Sequence, residues 1–317
     1  MKSKRAPAPY PIFSETEISL QIETFLKMKS SPLLIITGPT GSGKTSVSIR
    51  IAKQFSGEII NADSRQFYAG CDIGTAKITE HEMEGIPHHL LSFLHPNEDY
   101  PVAFFQKKAE EIISKIHSQK KLPILVGGSG LFIDAVRKGF SIPPVSPQFD
   151  IRKELEQCST ESLFALLSQN DPVLSARIDP KNRLRMIRAL EVFRTTGKPI
   201  SSLQKKVQPI WNEFLLGVWC ETDILEQRIA ERTEKMWREG FLDEVRQLLS
   251  QGYQESDPAF IAHGYREAVS FLCGKLTEEE AKSLMTRNTR RYAKRQRSWW
   301  RKEKDVVWMD PCSEVII

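Results

Sequence analysis

The 317-residue chain contains no apolar run approaching the roughly 18 residues of a membrane span. Its first residues lack the ~7–15-residue apolar segment of a secretion signal. A transmembrane or exported protein is therefore not expected. Cysteine is sparse: five residues, at 71, 158, 220, 273 and 312, with no close pair, so neither a zinc knuckle nor a redox dithiol is encoded. Reduced thiols in a cytoplasmic protein are the expectation. With 17 Gly and 18 Pro, nothing is fibrous or low in complexity. An excess of one charge is also missing. Forty-five Lys plus Arg against forty Asp plus Glu leaves +5, too little to demand a polyanionic partner on its own. Residues 287–304 are the exception, with nine bases and one acid.

The first thirty-one residues, opening Met1-Lys2-Ser3-Lys4-Arg5 with Pro7, Pro9 and Pro11, read as a basic extension holding one helix from Ser14 to Met28. From Leu33 the pattern alternates strand and helix, which implies parallel pairing and an α/β fold. Strands are expected at Leu33–Ile36, Glu58–Ala62, Leu122–Val126 and Phe214–Trp219. A helix opened by Asp99 and Pro101 carries Val102, Phe105, Ala109, Ile112 and Ile116 on one face. Pro143, Pro144 and Pro147 mark a linker, and residues 150–196 read as helices rich in arginine. The spacing places a catalytic core at 32–142 and 207–310, a helical insertion at 143–206 and a tail at 311–317. Thr277 and Glu280 form a capping box that opens the last helix.

Gly38-Pro39-Thr40-Gly41-Ser42-Gly43-Lys44-Thr45 is a complete G-x-x-x-x-G-K-[ST] between an expected strand and an expected helix. Such a loop curls backbone amides around phosphates, while Lys44 supplies charge and the Thr45 hydroxyl can hold Mg²⁺. An NTPase would add an apolar strand ending in a metal-holding Asp, but Leu122–Val126 runs into Gly127-Gly128-Ser129. The strand Glu58–Ala62 does end in an acid, Asp63, and is expected to neighbour the P-loop strand. Ligands of open α/β sheets bind at the carboxyl ends of strands, so Asp63 can face the ligand and take a proton from a nucleophile. The plainer alternative is a carboxylate capping its own turn. His88 and His89, with no Cys or acid at ligand spacing, suit turn or core roles better than metal binding.

Together with Asn61-Ala62-Asp63-Ser64-Arg65-Gln66-Phe67-Tyr68 and Asp72-Ile73-Gly74-Thr75-Ala76-Lys77, this P-loop closely resembles the tRNA dimethylallyltransferases. Further matches are Pro87-His88-His89-Leu90, Val126-Gly127-Gly128-Ser129-Gly130-Leu131 and Arg188-Ala189-Leu190-Glu191-Val192-Phe193. Thr196-Gly197-Lys198-Pro199, Gly264-Tyr265-Arg266-Glu267 and Tyr292-Ala293-Lys294-Arg295-Gln296 with Trp299 follow in the family's order. The resemblance implies transfer of a dimethylallyl group from dimethylallyl diphosphate to N6 of the adenosine just 3′ of a tRNA anticodon. It implies a monomer that meets no membrane, uses Mg²⁺ on Thr45 and grips diphosphate with Gly38 to Thr45. Lys44, Thr45 and Asp63 become the catalytic residues, with Asp63 as the partner of the amine.

Contacts to tRNA are implied for Asp63, Ser64, Arg65 and Gln66, for Ser129 and Arg152, and for Leu184, Arg185, Met186, Ile187 and Arg188. They are implied as well for Ile261, Ala262, His263, Gly264, Tyr265 and Arg266. Arg152, Arg183, Arg185 and Arg188 also fit the solvated face of helices. On the last helix Arg290, Lys294, Arg297 and Arg301 recur at spacings that form one stripe, expected to face RNA while Tyr292, Trp299 and Trp300 pack mostly inward. The chain departs from the family in having Arg266 for Lys, His263 for an aliphatic residue and Glu221-Thr222 for an Asp-Arg pair, so that arginine's role is not carried over. Cys312 stands alone, without the eukaryotic zinc finger. Rival readings are an adenylate isopentenyltransferase acting on free AMP, a P-loop small-molecule kinase and a non-catalytic nucleotide-dependent RNA-binding protein.

Overall fold

The computed structural model describes residues 10–139, 145, 147–203 and 211–311. Met1–Arg5, Pro7, Pro9, Pro143, Pro144 and Cys312 lie outside them. The chain divides into two compact units. One comprises residues 1–99, 108–133 and 210–317, the other residues 100–107 and 134–209, a wider stretch than 143–206.

The first unit is built on a seven-stranded, wholly parallel sheet, an α/β fold with helical crossovers. Its strands are β1 (Ile12–Phe13), β2 (Pro32–Thr37), β3 (Gly57–Asn61), β4 (His88–His89), β5 (Leu122–Gly127), β6 (Asn212–Val218) and β7 (Val307–Met309). They stand in the order β1-β7-β6-β2-β5-β3-β4. The central strands are apolar nearly end to end, as a sheet covered on both faces requires. Leu34, Ile36, Ile59, Ile124 and Leu216 of these strands pack with Val47 and Ile51 of the helix Lys44–Gln54 and with Ile18 and Ile22 of the helix Glu15–Met28. Ser14 opens that first helix with a capping box, closed by Glu17.

Strand β3 does not adjoin the P-loop strand. Strand β5 occupies the slot, pairing Leu34 with Ile124 on one side and Ile59 with Ile124 on the other. Chain order fixes neither neighbour, because the crossover after Gln54 can pass one strand position as readily as none. Asp63 reaches the carboxyl edge nonetheless, since Ala62 N–H donates to Val126 O at 2.7 Å and carries the chain across the end of β5.

The second unit is helical, with Phe149–Gln157, Thr160–Asn170, Pro172–Ser175, Arg183–Thr196 and Ile200–Leu203. Leu163 and Leu167, one turn apart, meet Leu155, Met186, Ile187 and Leu190 in its core. Asn182 caps the helix Arg183–Thr196 through the Arg185 N–H. On the helix Val102–Ser118 the buried positions include Phe105, Ala109, Ile113 and Ile116, with Ile113 in place of the expected Ile112. Among the described residues, no helix is long and apolar enough to cross a membrane.

Candidate active site

The carboxyl ends of β2, β3 and β5 meet the helices Thr222–Arg238 and Glu278–Trp300 around a cleft. Thr40, Asp63, Arg65, Gly74, Thr75, Arg232, His263 and Tyr292 line it. The P-loop leaves β2 and enters its helix at Gly43, whose φ of +95° is the left-handed conformation a Cβ would strain. Lys44 folds back to donate to Pro39 O at 2.8 Å. Burial lowers its ammonium from 10.5 to about 8, against the opposing attraction of Asp63 and with added repulsion from Arg232.

Asp63 both caps its own turn and faces the cleft. Its Oδ1 accepts the Arg65 N–H at 3.1 Å, a side-chain turn, while its own N–H is held by Asn61 Oδ1 at 3.0 Å. The same carboxylate lines the cleft and feels the charges of Lys44 and Arg232. Gln66 reaches Thr75 O and Ala76 O, tying the Asp63 turn to the loop 72–77.

Sequence reasoning missed two residues here. Arg232 reaches Thr40 Oγ1 and Thr75 O, both at 3.4 Å, and burial lowers its guanidinium's proton affinity while Asp63 raises it. The available signal was an arginine between Ile229 and Met236 on the apolar face of an amphipathic helix. Gln296, buried in the last helix, accepts the Thr40 N–H at 2.8 Å and pins the P-loop backbone. Thr40 of the P-loop, the Arg232 guanidinium and the Asp63 carboxylate thus line one cleft, and the Lys44 ammonium feels both of those charges, a setting for an anionic leaving group beside a proton acceptor.

The family model described as IPP transferase matches residues 66–303. The chain belongs to that family. It is 42% identical over 286 residues to the tRNA dimethylallyltransferase of Thermomicrobium roseum, covering 89% of this chain and 87% of that protein. It is 44% identical over 280 residues to the tRNA dimethylallyltransferase of Gloeothece citriformis, covering 88% and 91%. Among solved structures, the full-length tRNA isopentenylpyrophosphate transferase of Bacillus halodurans aligns with TM-score 0.67 and 41% identity, over 89% of this chain and 90% of that one. A eukaryotic dimethylallyltransferase acting on tRNA aligns with TM-score 0.75 and 29% identity, over 90% and 75%.

The residues that the family pattern assigns to RNA contact fall into distinct settings. In the sheet-bearing unit, Asp63, Arg65, Ala262 and His263 line the cleft. Ser129 Oγ lies 3.4 Å from Tyr292 OH, and the Tyr292 ring packs on His263 with centroids 5.2 Å apart. Burial lowers the His263 pKa and favours the neutral imidazole. Ile261 and Arg266 are exposed, whereas Gly264 and Tyr265 are buried.

In the helical unit Leu184 and Arg185 are exposed, but Met186 and Ile187 are core residues whose side chains are buried among Leu155, Leu163, Leu167 and Leu190. Arg152 and Arg188 converge on the buried Glu191 at 2.8 and 2.6 Å. Arg183 donates to Thr160 Oγ1, Glu156 O and Cys158 O. These three arginines hold the helices together.

Three members of the stripe on the last helix have partners within the protein, and the fourth, Lys294, lies on an open face. Arg290 donates to Glu226 O, Arg297 to Thr222 Oγ1 and Cys220 O, and Arg297 and Arg301 lie over the Trp219 ring. The more open face carries Arg291, Lys294, Arg295, Ser298, Trp299 and Lys302. Trp300 is fully buried, but Trp299 is 41% exposed, not core. His88 and His89 form β4, where His89 Nε2 meets Glu58 at 2.7 Å and His88 Nδ1 meets Ile86 O at 2.8 Å, structural roles both.

No group of three or more His, Cys, Asp or Glu among the described residues could hold a metal by itself. Thr45 is exposed at the start of its helix beside Lys44. That sparse oxygen donor set suits Mg²⁺, which takes most of its ligands from substrate phosphate and water.

Proposed function

We propose that the protein transfers a dimethylallyl group from dimethylallyl diphosphate to the exocyclic N6 of the adenosine immediately 3′ of a tRNA anticodon. The observation that carries this reading is the meeting, in one cleft, of P-loop Thr40 and the Arg232 guanidinium with the Asp63 carboxylate at the end of β3, all within the field of the Lys44 ammonium. The diphosphate lies along Gly38–Thr45, with its oxygens on the loop amides, Lys44 and Arg232. As the allylic carbon–oxygen bond breaks, negative charge grows on the departing diphosphate, and these fixed cations stabilise it more than they stabilise the intact substrate. Mg²⁺ on Thr45 supplies further neutralisation of that charge when bound. The N6 lone pair closes the new carbon–nitrogen bond, and Asp63 receives the proton the amine gives up. The remaining Asp63 geometry, fixed by Asn61 and by the Arg65 N–H, keeps the carboxylate from rotating away.

The adenine reaches Asp63 by leaving its stack, with the rings of Tyr292 and His263 as the apolar wall beside it. Asp63, Ser64, Arg65, Gln66, Ser129, Ile261, His263 and Arg266 form the contact region near the flipped base, with the buried Gly264 and Tyr265 supporting that segment from behind. Leu184, Arg185 and the arginine pair Arg152 and Arg188 serve the RNA from the helical unit, the pair by setting the backbone of the helix that carries Arg185. Membership of a family whose named relatives act on tRNA leaves free AMP and a kinase substrate without support. Labelled dimethylallyl diphosphate offered with tRNA, with AMP or with no acceptor tests the proposal: label must pass to tRNA alone. Transfer to AMP, or ATP hydrolysis without transfer, would overturn it.

A further inference from the structure

Glu244 belongs to the helix Phe241–Ser250, and no step of the transfer described above uses it. Its carboxylate accepts four hydrogen bonds. Oε2 takes the backbone N–H groups of Asp72 and Ile73, each at 2.7 Å, and Oε1 takes the Gly74 N–H at 3.1 Å and the Tyr265 hydroxyl at 2.7 Å. Three consecutive amides converging on one carboxylate form an anion nest, with charge-assisted bonds roughly twice as strong as neutral ones. Burial raises the Tyr265 phenol well above its ordinary pKa, so its hydroxyl remains a donor through the neutral range.

The loop so held has its other side in the cleft. Gly74 and Thr75 line it beside Asp63 and Arg232, and Thr75 O accepts from both Arg232 Nη2 and Gln66 Nε2. Gly74 is pressed so closely on the aromatic wall that a Cβ would fall 2.3 Å from Phe241 Cε2 and 2.7 Å from Tyr265 Cε2. Glu244 is therefore one backbone segment removed from the buried cation and from the turn that bears Asp63.

We infer that Glu244 is a positioning residue for the prenyl transfer: by gripping the amides of residues 72–74 it fixes the Thr75 carbonyl that aims Arg232 at the diphosphate. The inference rests on the reading of the cleft as the diphosphate site. Glu244→Gln presents one acceptor oxygen and one NH₂ group to donors that all need acceptors, so at least one nest amide loses its partner. Tyr265→Phe keeps the carboxylate and deletes one of its four donors. Asp243→Asn, on the same helix and in an exposed pair with Arg246, is the control.

Two readouts apply to each variant: amide hydrogen exchange across residues 70–78 of the ligand-free protein, and single-turnover transfer to tRNA alongside tRNA affinity. In Glu244→Gln the amides of 72–74 exchange at least about tenfold faster. The single-turnover rate falls by about 10²-fold, the scale of one misplaced charge-stabilising donor, with tRNA affinity changed less than about threefold. Tyr265→Phe shifts both readouts the same way by a few-fold, and Asp243→Asn shifts neither.

Faster exchange at a wild-type single-turnover rate would make Glu244 a structural anchor and overturn the inference, as would unchanged exchange. If Glu244→Gln fails to fold, Tyr265→Phe decides, and its matching wild type in both readouts has the same overturning force. A wild-type protein that transfers nothing to tRNA would instead count against the cleft reading, while the exchange comparison still shows whether Glu244 holds the loop.

Discussion

The ammonium of Lys44 gives the diphosphate cradle a pH signature. Burial brings it from 10.5 to about 8 in the ligand-free protein. At about 1.4 kcal/mol per pH unit, the net penalty on the charged form, burial and Arg232 set against Asp63, is roughly 3 kcal/mol, part of which an anion between Lys44 and Arg232 restores. The sign follows from which form binds. Diphosphate needs the ammonium, so affinity is full below about pH 8 and declines above it as the free protein loses the proton. Each further pH unit reduces the competent fraction about tenfold, so the Kd for dimethylallyl diphosphate rises close to tenfold between about pH 8.5 and 9.5. The ligand does not mask this, because the second ionisation of a phosphate lies near ~6. Isothermal titration calorimetry from about pH 7 to 9.5, on wild type and Lys44→Ala, reads the effect directly. The variant should bind more weakly at neutral pH, show no inflection near 8 and turn over about 10²–10³-fold more slowly. A flat wild-type Kd, or the same inflection in Lys44→Ala, would show that the Lys44 ammonium does not govern diphosphate binding.

Asp63→Asn keeps the turn, since an amide oxygen still accepts the Arg65 N–H, but removes the proton acceptor; single-turnover transfer should fall by about 10²–10⁴ with tRNA affinity nearly unchanged. Arg152→Ala leaves the fully buried Glu191 short of a partner and should lower stability by about 3 kcal/mol in thermal unfolding, without altering diphosphate affinity. Arg185→Ala removes an exposed cation at no cost to the fold, and should flatten the slope of log tRNA affinity against log salt by roughly 0.7–0.9. An unchanged slope would make Arg185 ordinary solvated surface.

The P-loop, Asp63 and the alternation of strand and helix were legible because each is a local pattern: fixed glycine spacing, an apolar run, a residue at its end. Strands β1, β4 and β7 were not, since two or three residues carry no periodicity and form only by pairing with partners far along the chain. Strand order was equally hidden: β5 flanks β2 where β3 was expected. The spacing of Arg290, Lys294, Arg297 and Arg301 established a common side of the helix but not its direction, and carbonyls at Glu226 and Cys220 claim two of those cations. Arg152, Arg183 and Arg188 resemble RNA-binding arginines in sequence because charge alone does not reveal an internal acceptor such as Glu191. Arg232 was concealed within an amphipathic helix. Glu244 acts on backbone amides, which every residue has, and so leaves no pairing signature in the sequence.

Locating the label in tRNA after transfer tests the central claim most directly. The protein is incubated with radiolabelled dimethylallyl diphosphate and an unmodified tRNA carrying adenosine 3′ to the anticodon, and the digested RNA is resolved by fragment and by nucleoside. Label is expected solely in the anticodon-loop fragment, as adenosine alkylated on N6, with none when that adenosine is replaced by guanosine. Label on another nucleotide, or on free AMP in preference to tRNA, would contradict that claim.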